Sequence, residues 1–521
     1  MVRTITVIGG GSAGFMAALA LKMKIPSLRV RVVRSKDIGV IGVGEGSGVP
    51  FTRFLHEYLR LNLTRFLHEY LRLNLARFVR EAAPSWKLGT RFLWGPRESF
   101  FFPFGPHLNQ RPPELPRPAG FYCGHDAAAM DCASPTAAFM AHNRLFPRGP
   151  NGSIAMHGQL AYHIENETFA RYLESVATTV GVEILDDTIR QVLRDEQGVT
   201  ALMLASGRTE SADLYVDCSG FTSLLLGKTL GEPFVSYKSS LFCDRAVVGG
   251  WDRGDEPIRP YTTAETMAAG WSWQIEHRHR INRGYVYCSE FITDEAAELE
   301  FRAANPKVGP TRIVKFVSGR YERSWVGNVV AIGNASGFVE PLEATALAVI
   351  ATRAELLTDI LIHADLNPAT VQVRLFNENT ARTWDSIRRF LAVHYKFNHR
   401  LETPFWRHAQ QQTDLAGADD IVECYRQIGP RGYWERMTVD SCDVWGIEGY
   451  LSMLVGQRVP HRPAPPPTDR EWAAWESYRR QNRDTALRAL TVEQVFDHLD
   501  RHGRPSPSPT DPARAPAPAM A

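Results

Sequence analysis

The sequence predicts an α/β protein: a Rossmann-like nucleotide-binding domain on a parallel sheet, intertwined with a largely helical second lobe. Three observations carry this. Residues 1–35 read as strand, glycine turn, helix and strand. Two later stretches each show a buried strand closed by a small-residue turn. The last third of the chain is helical in pattern. At 521 residues the chain exceeds a single hydrophobic core, so two or three lobes are expected.

Residues 4–8, "TITVI", are short, β-branched and closed by glycine, the mark of a buried strand. Residues 12–24 are rich in alanine, leucine and methionine and read as a helix; residues 28–33 read as a second strand. This βαβ opening implies a parallel sheet. "TRFLHEYLRLNL" then occurs twice in tandem, at 52–63 and 64–75. At about 100° per residue, the second copy's apolar face turns roughly 120° from the first, so one straight helix cannot bury both alike. The repeat therefore reads as a looped-out or extended surface excursion. Residues 103–120 read as a Pro/Gly-rich loop and 165–180 as a helix. Strands are expected near 182–185, 191–194, 200–204 and 213–216, with further strand patterns over 265–300 and 311–333. A helix is expected from Ala344, another over 368–400, and mostly helix over 405–500. The tail from Arg504 is Pro/Ala/Ser-rich and reads as disordered. The expected organisation is a nucleotide-binding module over 1–350 with substrate-region insertions at about 76–160 and 235–310. A mainly helical substrate lobe over 351–503 and the tail 504–521 complete it.

A net charge of +2, with 44% apolar and 22% charged residues, describes an ordinary globular chain and argues against nucleic acid as a partner. The seven cysteines include no CxxC pair, which argues against a metal site and fits a reducing cytoplasm. "MVRTITVIGGG" lacks the pattern of a secretion leader. No apolar run has the ~18 residues needed to span a membrane.

"VIGGGSAGFMAALAL" supplies GxGxxG at Gly9, Gly11 and Gly14, after a strand and opening a helix. The first glycine makes the turn, the second admits a pyrophosphate, and the third lets helix and strand pack. The helix N-terminus then faces the phosphates. Where an acid usually meets the ribose, this chain has Arg34 and Ser35. "DLYVDCSGF" (213–221) and "WVGNVVAIGNASGFVEPLEATAL" (325–347) follow. Their order and spacing behind the first motif favour FAD, with the second helix N-terminus set against the flavin ring. The expected domain is thus the FAD-binding domain of the two-dinucleotide-type flavoproteins.

One lysine stands out. In "APSWKLGTRFLW" (83–94), Lys87 reads either as a surface lysine covering apolar atoms or as a buried, reactive ammonium. Among the aromatics nearby, Phe92 and Trp94 read as core. For Phe102 and Phe104, core packing and substrate contact both stay open.

From about Thr4 to about Val459 the chain resembles the flavin-dependent tryptophan halogenase family. The resemblance rests on "GGGSAG", "GVGEGS" (42–47), "SWKLGTRF", "GWSWQIE" (270–276), "DCSGF", "GFVEPLEATAL" (337–347) and "VWGIEGYLSMLVGQ" (444–457). It implies FADH2 from a separate NAD(P)H-dependent flavin reductase, O2, and chloride or bromide. A flavin hydroperoxide would oxidise the halide, and hypohalous acid would reach a catalytic lysine beside an aromatic substrate. That substrate is an indole, tryptophan or a phenol, free or carrier-bound. The lysine maps onto Lys87 and the accompanying glutamate onto Glu343. The halide-binding amides map onto Thr345 and Ala346. The cofactor positions are Gly9, Gly11, Ser12, Ala13, Gly14, Arg34, Gly44, Glu45, Gly333 and Phe338. Phe102 and Phe104, with Trp271 and Trp273 of the WxWxIP signature, map to the substrate region, where the two tryptophans are thought to block direct monooxygenation. A homodimer is compatible with the resemblance. In this chain Glu276 replaces the signature's proline. Ala344 and Ala346 stand where serine and glycine are common, and an alanine at 346 does not favour positive φ. Phe102-Pro103-Phe104 stands where tryptophan-specific members carry His-x-Phe. A flavin monooxygenase and an inactive flavin-binding homologue are the alternatives.

Overall fold

In the computed structural model, which describes residues 1–39, 44–59, 75–149, 153–156 and 158–502, the predicted βαβ unit forms as β1 (Thr4–Ile8), α1 (Ser12–Lys24) and β2 (Arg29–Arg34). β1 pairs parallel with β2 on one side and with Leu214–Asp217 on the other. Leu214–Asp217 continues parallel to Val329–Ala331, and β2 continues parallel to Glu183–Asp186. Trp325–Val326 closes the far edge antiparallel, completing a six-stranded sheet. Strands covered on both faces must be apolar throughout, and Ile5, Val7, Val30, Val32 and Val216 are all buried. α1 is buried from Gly14 to Leu21, as a helix apolar around its circumference must be. It packs on the helices Asn166–Thr179 and Ala346–His363. The domain boundary expected at 350 falls inside the second of these. That helix packs on α1, so a cut there would divide the nucleotide-binding lobe.

A seven-stranded sheet builds the second lobe. Its order is Arg312–Lys315, Arg245–Asp252, Arg280–Tyr287, Gly270–Glu276, Thr262–Met267, then Gly89–Leu93 and Phe100–Pro103. Neighbours run antiparallel except Thr262–Met267 with Gly89–Leu93, which are parallel. The long helix Thr370–Lys396 and the helix Gly446–Gly456 join this sheet in one apolar core that includes Phe92, Trp94, Trp271, Phe390 and Tyr450. Phe92 and Trp94 are core residues, as the sequence suggests; the Trp94 indole N–H donates to the His394 carbonyl at 2.9 Å.

A small sheet joins the lobes. Number its strands β3 (Glu45–Gly46), β4 (Ser85–Lys87) and β7 (Ala161–Ile164), with β5 (Gly89–Leu93) and β6 (Phe100–Pro103) between them in sequence. β7 is central and antiparallel to both neighbours: Gly46 lies opposite His163 and Lys87 opposite Ala161.

Two expectations change. The helix expected from Ala344 begins at Ala346, after a tight turn over Pro341–Glu343. Glu276 ends a continuous strand, in register with Ile281, so the chain needs no proline-set turn there. The first repeat copy enters through the helix Val49–Arg53 and a π-helical turn Phe54–Tyr58; the chain is described again from the helix Leu75–Glu81. Most of the repeat 52–75, read as an excursion, lies outside the described residues, at 60–74, as does the whole of the tail 504–521. Among the described residues no helix is long and apolar enough to cross a membrane.

Candidate active site

The three N-terminal glycines meet three different constraints. Gly9 has φ +115°, which an L side chain rarely adopts. A Cβ at Gly14 would overlap the Gly9 carbonyl oxygen, so helix and strand touch there. At Gly11 nothing lies within 4 Å of a Cβ position, which leaves the backbone open on the side where a pyrophosphate approaches. α1 has no side-chain cap and no acid in its first turn, so the amides at Ser12 and Ala13 keep their capacity for an anion. Gly333, with φ +70°, brings the second turn against α1: its Cβ position is 3.2 Å from the Ala13 Cβ. Phe338 packs edge-on against Phe221 at 4.8 Å and Phe316 at 5.2 Å. This open, glycine-lined cradle fits a dinucleotide such as FAD.

Three neighbouring positions are now placed. Arg34 ion-pairs with Glu174 and, at 3.1 Å, with Asp186, and its stem lies over Gly10. Its charge is thereby committed to carboxylates. Gly44 takes φ +68° with His277 and Asn282 against its Cβ position. Burial pushes the Glu45 carboxyl upward. Gly42 and Val43 of the same motif lie outside the described residues.

Lys87 ends β4 and is 1% exposed; the surface reading does not hold. Burial pushes its ammonium down to about 8, opposed by the negative charge of Glu343. Nζ lies 5.4 Å from the centre of the Phe104 ring. It also lies 3.2 Å from where a Cβ on Gly46 would sit, beside the Ala344 Cβ at 3.2 Å and the Thr262 Oγ1 at 3.3 Å. Gly46 thus leaves the space in which Lys87, Thr262 and the segment after Glu343 converge. His163, fully buried, contacts Thr262 Oγ1 at 2.9 Å and Ser85 Oγ at 3.4 Å. Burial and the nearby Lys87 charge hold its pKa well below the ordinary range, so a neutral imidazole forms one wall.

Glu343 closes the tight turn and places Oε1 2.8 Å from His394 Nε2. Ala344 then takes φ 55°, ψ 43°. The left-handed residue is therefore Ala344. Ala346 is the first helical residue, where negative φ suits alanine. Thr345 caps the helix without a side-chain bond. The amides of Thr345 and Ala346 have no acceptor among the described residues, and they open an 18-residue helix whose N-terminus favours an anion.

Phe102 packs on Phe390 at 6.1 Å between ring centres, so it is a wall residue one ring removed from His394. Phe104 faces Lys87 directly. Trp271 and Trp273 stack obliquely at 6.0 Å and are buried. Trp273 covers Gly284, where a Cβ would overlap its ring. Trp271 faces Glu340, as do Tyr395 and Cys243, and burial pushes the Glu340 carboxyl up to about 7. Neither Glu340 oxygen nor the Trp271 indole nitrogen reaches well-aligned hydrogen-bond geometry. Glu276, at the signature's proline, ion-pairs with buried Arg253 and accepts from Gln274 Nε2 at 2.7 Å. Its role is architectural.

Sequence reasoning missed His394, Glu340, His163 and Thr262. Only His394 left a usable trace: a histidine four residues after Phe390 on the apolar face of a long helix, among Phe390, Leu391 and Val393.

A family model described as Tryptophan halogenase matches residues 4–470. The chain is 34% identical over 502 residues to the tryptophan 6-halogenase ThaL of Streptomyces albogriseolus, covering 89% of this chain and 91% of that protein. It is 30% identical to the tryptophan 7-halogenase RebH of Lentzea aerocolonigenes, with the same shares. Among solved structures it matches MibH, a lathipeptide tryptophan 5-halogenase, with TM-score 0.86 and 36% identity over 96% of this chain and 94% of that one. The cradle, the buried lysine and the glutamate turn all lie within the matched region. The chain belongs to the tryptophan halogenase family and is a flavin-dependent halogenase.

Proposed function

We propose that this enzyme chlorinates or brominates an aromatic ring, using FADH2 from a separate reductase together with O2 and halide. The tryptophan indole, free or within a larger molecule, is the first candidate, since the relatives named above are tryptophan halogenases; phenols come next. When bound, reduced FAD supplies the electrons that let O2 oxidise the halide. The protein does the rest. The glycine cradle and α1 hold the cofactor's phosphates, and the amides of Thr345 and Ala346 hold the halide. Closed walls keep water from the oxidised halogen. Lys87 donates a hydrogen bond to hypohalous acid and makes its halogen more electrophilic. The ring takes the halogen, Glu343 takes the ring proton, and the departing hydroxide leaves as water with the Lys87 proton. Phe104 and Phe102 present the ring to Lys87.

The observation that carries this reading is the buried Lys87 ammonium set against Glu343 and the Phe104 ring. The test is turnover of indoles and phenols with FAD, a flavin reductase, NADH and O2, in chloride, bromide and halide-free buffer, read by isotope pattern. Halogenated product that vanishes in Lys87→Ala is expected. Oxygenated product independent of halide and of Lys87 would overturn the proposal.

A further inference from the structure

Behind Glu343 lies a residue that the proposal above leaves without a task. His394 sits on the helix Thr370–Lys396 with its side chain fully buried. Phe390 meets its ring edge-on at 4.7 Å, and Phe92 lies against it at 5.4 Å. Its Nδ1 is 2.9 Å from the Phe390 carbonyl oxygen. A carbonyl only accepts, so Nδ1–H donates and keeps its proton in either state of the ring. The other nitrogen, Nε2, is 2.8 Å from Glu343 Oε1. A neutral ring protonated at Nδ1 has a lone pair at Nε2, and an ionised carboxylate oxygen carries lone pairs too. Two buried acceptors do not approach to this distance without a proton between them. The contact therefore contains one shared proton.

We propose that His394 is the positioning residue of Glu343. The shared proton pins Oε1 to the helix and leaves Oε2 as the acceptor for the substrate's ring proton. This rests on the reading of Glu343 as the general base. As the ring C–H bond breaks, its electron pair restores the aromatic system and its proton goes to Oε2, while the proton at Oε1 stays on Nε2. The His–Glu pair gains one positive charge as Lys87 loses one to the departing hydroxide, so the charge of the site is unchanged. Lys87, on β4, is the charged group that faces Glu343. Among the described residues, Phe92 and Phe390 make ring contacts with His394. Glu340 faces Tyr395, Trp271 and Cys243 instead.

The first readout is independent of substrate. Ring-15N histidine spectra of the FAD-bound full chain, recorded at neutral pH, read the proton on each ring nitrogen separately. His394 is assigned by the signal lost in His394→Gln. In wild type, Nδ1 stays protonated and Nε2 shows the shift of a protonated or proton-sharing nitrogen. In Glu343→Gln, Nε2 moves to the lone-pair value, because the new amide donates to it. An unprotonated Nδ1, or the same Nε2 shift in both proteins, overturns the proposal. The second readout is kinetic, with L-tryptophan and bromide and with FAD binding as the folding control. His394→Leu lowers kcat by about 10²-fold, within the range for general-base catalysis, and leaves KM largely unchanged. It also raises the isotope effect on ring-deuterated tryptophan. His394→Gln, which keeps a donor for Oε1, loses less. If Lys87→Ala and Glu343→Gln abolish turnover but His394→Leu matches wild type, the inference alone fails. If those two variants retain turnover, the general-base reading fails, and the spectra still judge the His–Glu contact.

Discussion

Replacing Lys87 by methionine makes the protein more stable while removing the proposed chemistry. Methionine fills much the same volume without a charge. The folded chain holds the Lys87 ammonium at about 8 against an ordinary value of 10.5. At 1.36 kcal/mol per pH unit, the buried charge costs about 3 kcal/mol at neutral pH. Unfolding entropy of about 2.1 cal/mol/K per residue gives roughly 1 kcal/mol/K for a chain of this length, so the apparent Tm rises by about 3 °C. The pH dependence has a definite sign. Between about 8 and 10.5 the unfolded chain binds the proton and the folded chain has released it, so wild-type stability rises with pH. Lys87→Met lacks that rise. Its advantage is complete below about pH 8 and fades as the pH climbs through 10.5. Thermal unfolding of both proteins across this interval, with FAD binding as control, is the assay. A variant no more stable at neutral pH, with a pH-independent gap, would refute the desolvated-ammonium argument.

Glu276→Pro, which restores the family's signature, removes the carboxylate paired with the Arg253 guanidinium, whose side chain is 4% exposed and which keeps, among the described residues, only the carbonyls of Glu256, Pro257 and His277 as acceptors. A loss of about 3–5 kcal/mol is expected from removing one partner of a buried pair, read by denaturant or thermal unfolding; unchanged stability would show that Glu276 supports nothing. Gly46→Ala puts a methyl 3.2 Å from Lys87 Nζ and from the Ala344 Cβ. Its kcat falls by about 10-fold, short of the ~10² that a full 1 Å misplacement brings, while FAD binding is retained; turnover equal to wild type would show that this space is not used.

Local constraint explains what was legible early. The roles of Gly9, Gly11 and Gly14 follow from one turn and one helix start, which a few consecutive residues settle. The apolar pattern of the first βαβ unit set the parallel sheet for the same reason. "PLEATA" shows a glutamate before a helix but not which alanine turns left-handed. That choice falls on Ala344 because the tight turn Pro341–Glu343 must reverse before the helix begins.

The sequence by itself determined the nucleotide fingerprint and the fold class and, through resemblance, singled out Lys87 and Glu343; that the two groups lie close enough to feel each other's charge came from the structure. The sequence left open whether Lys87 is exposed, because burial is contributed by distant segments: Gly46 on β3, Phe104 after β6, Thr262, and the turn at Glu343. Likewise no local pattern distinguishes Glu276 as half of an ion pair from Glu276 as a surface acid. The pairing of Glu343 was not legible either: His394, 51 residues further on, shows in the sequence as a histidine on the apolar face of a helix, with nothing to say which group it meets. Only the packing of that helix against the Glu343 turn brings two acceptors to 2.8 Å and so requires a proton between them.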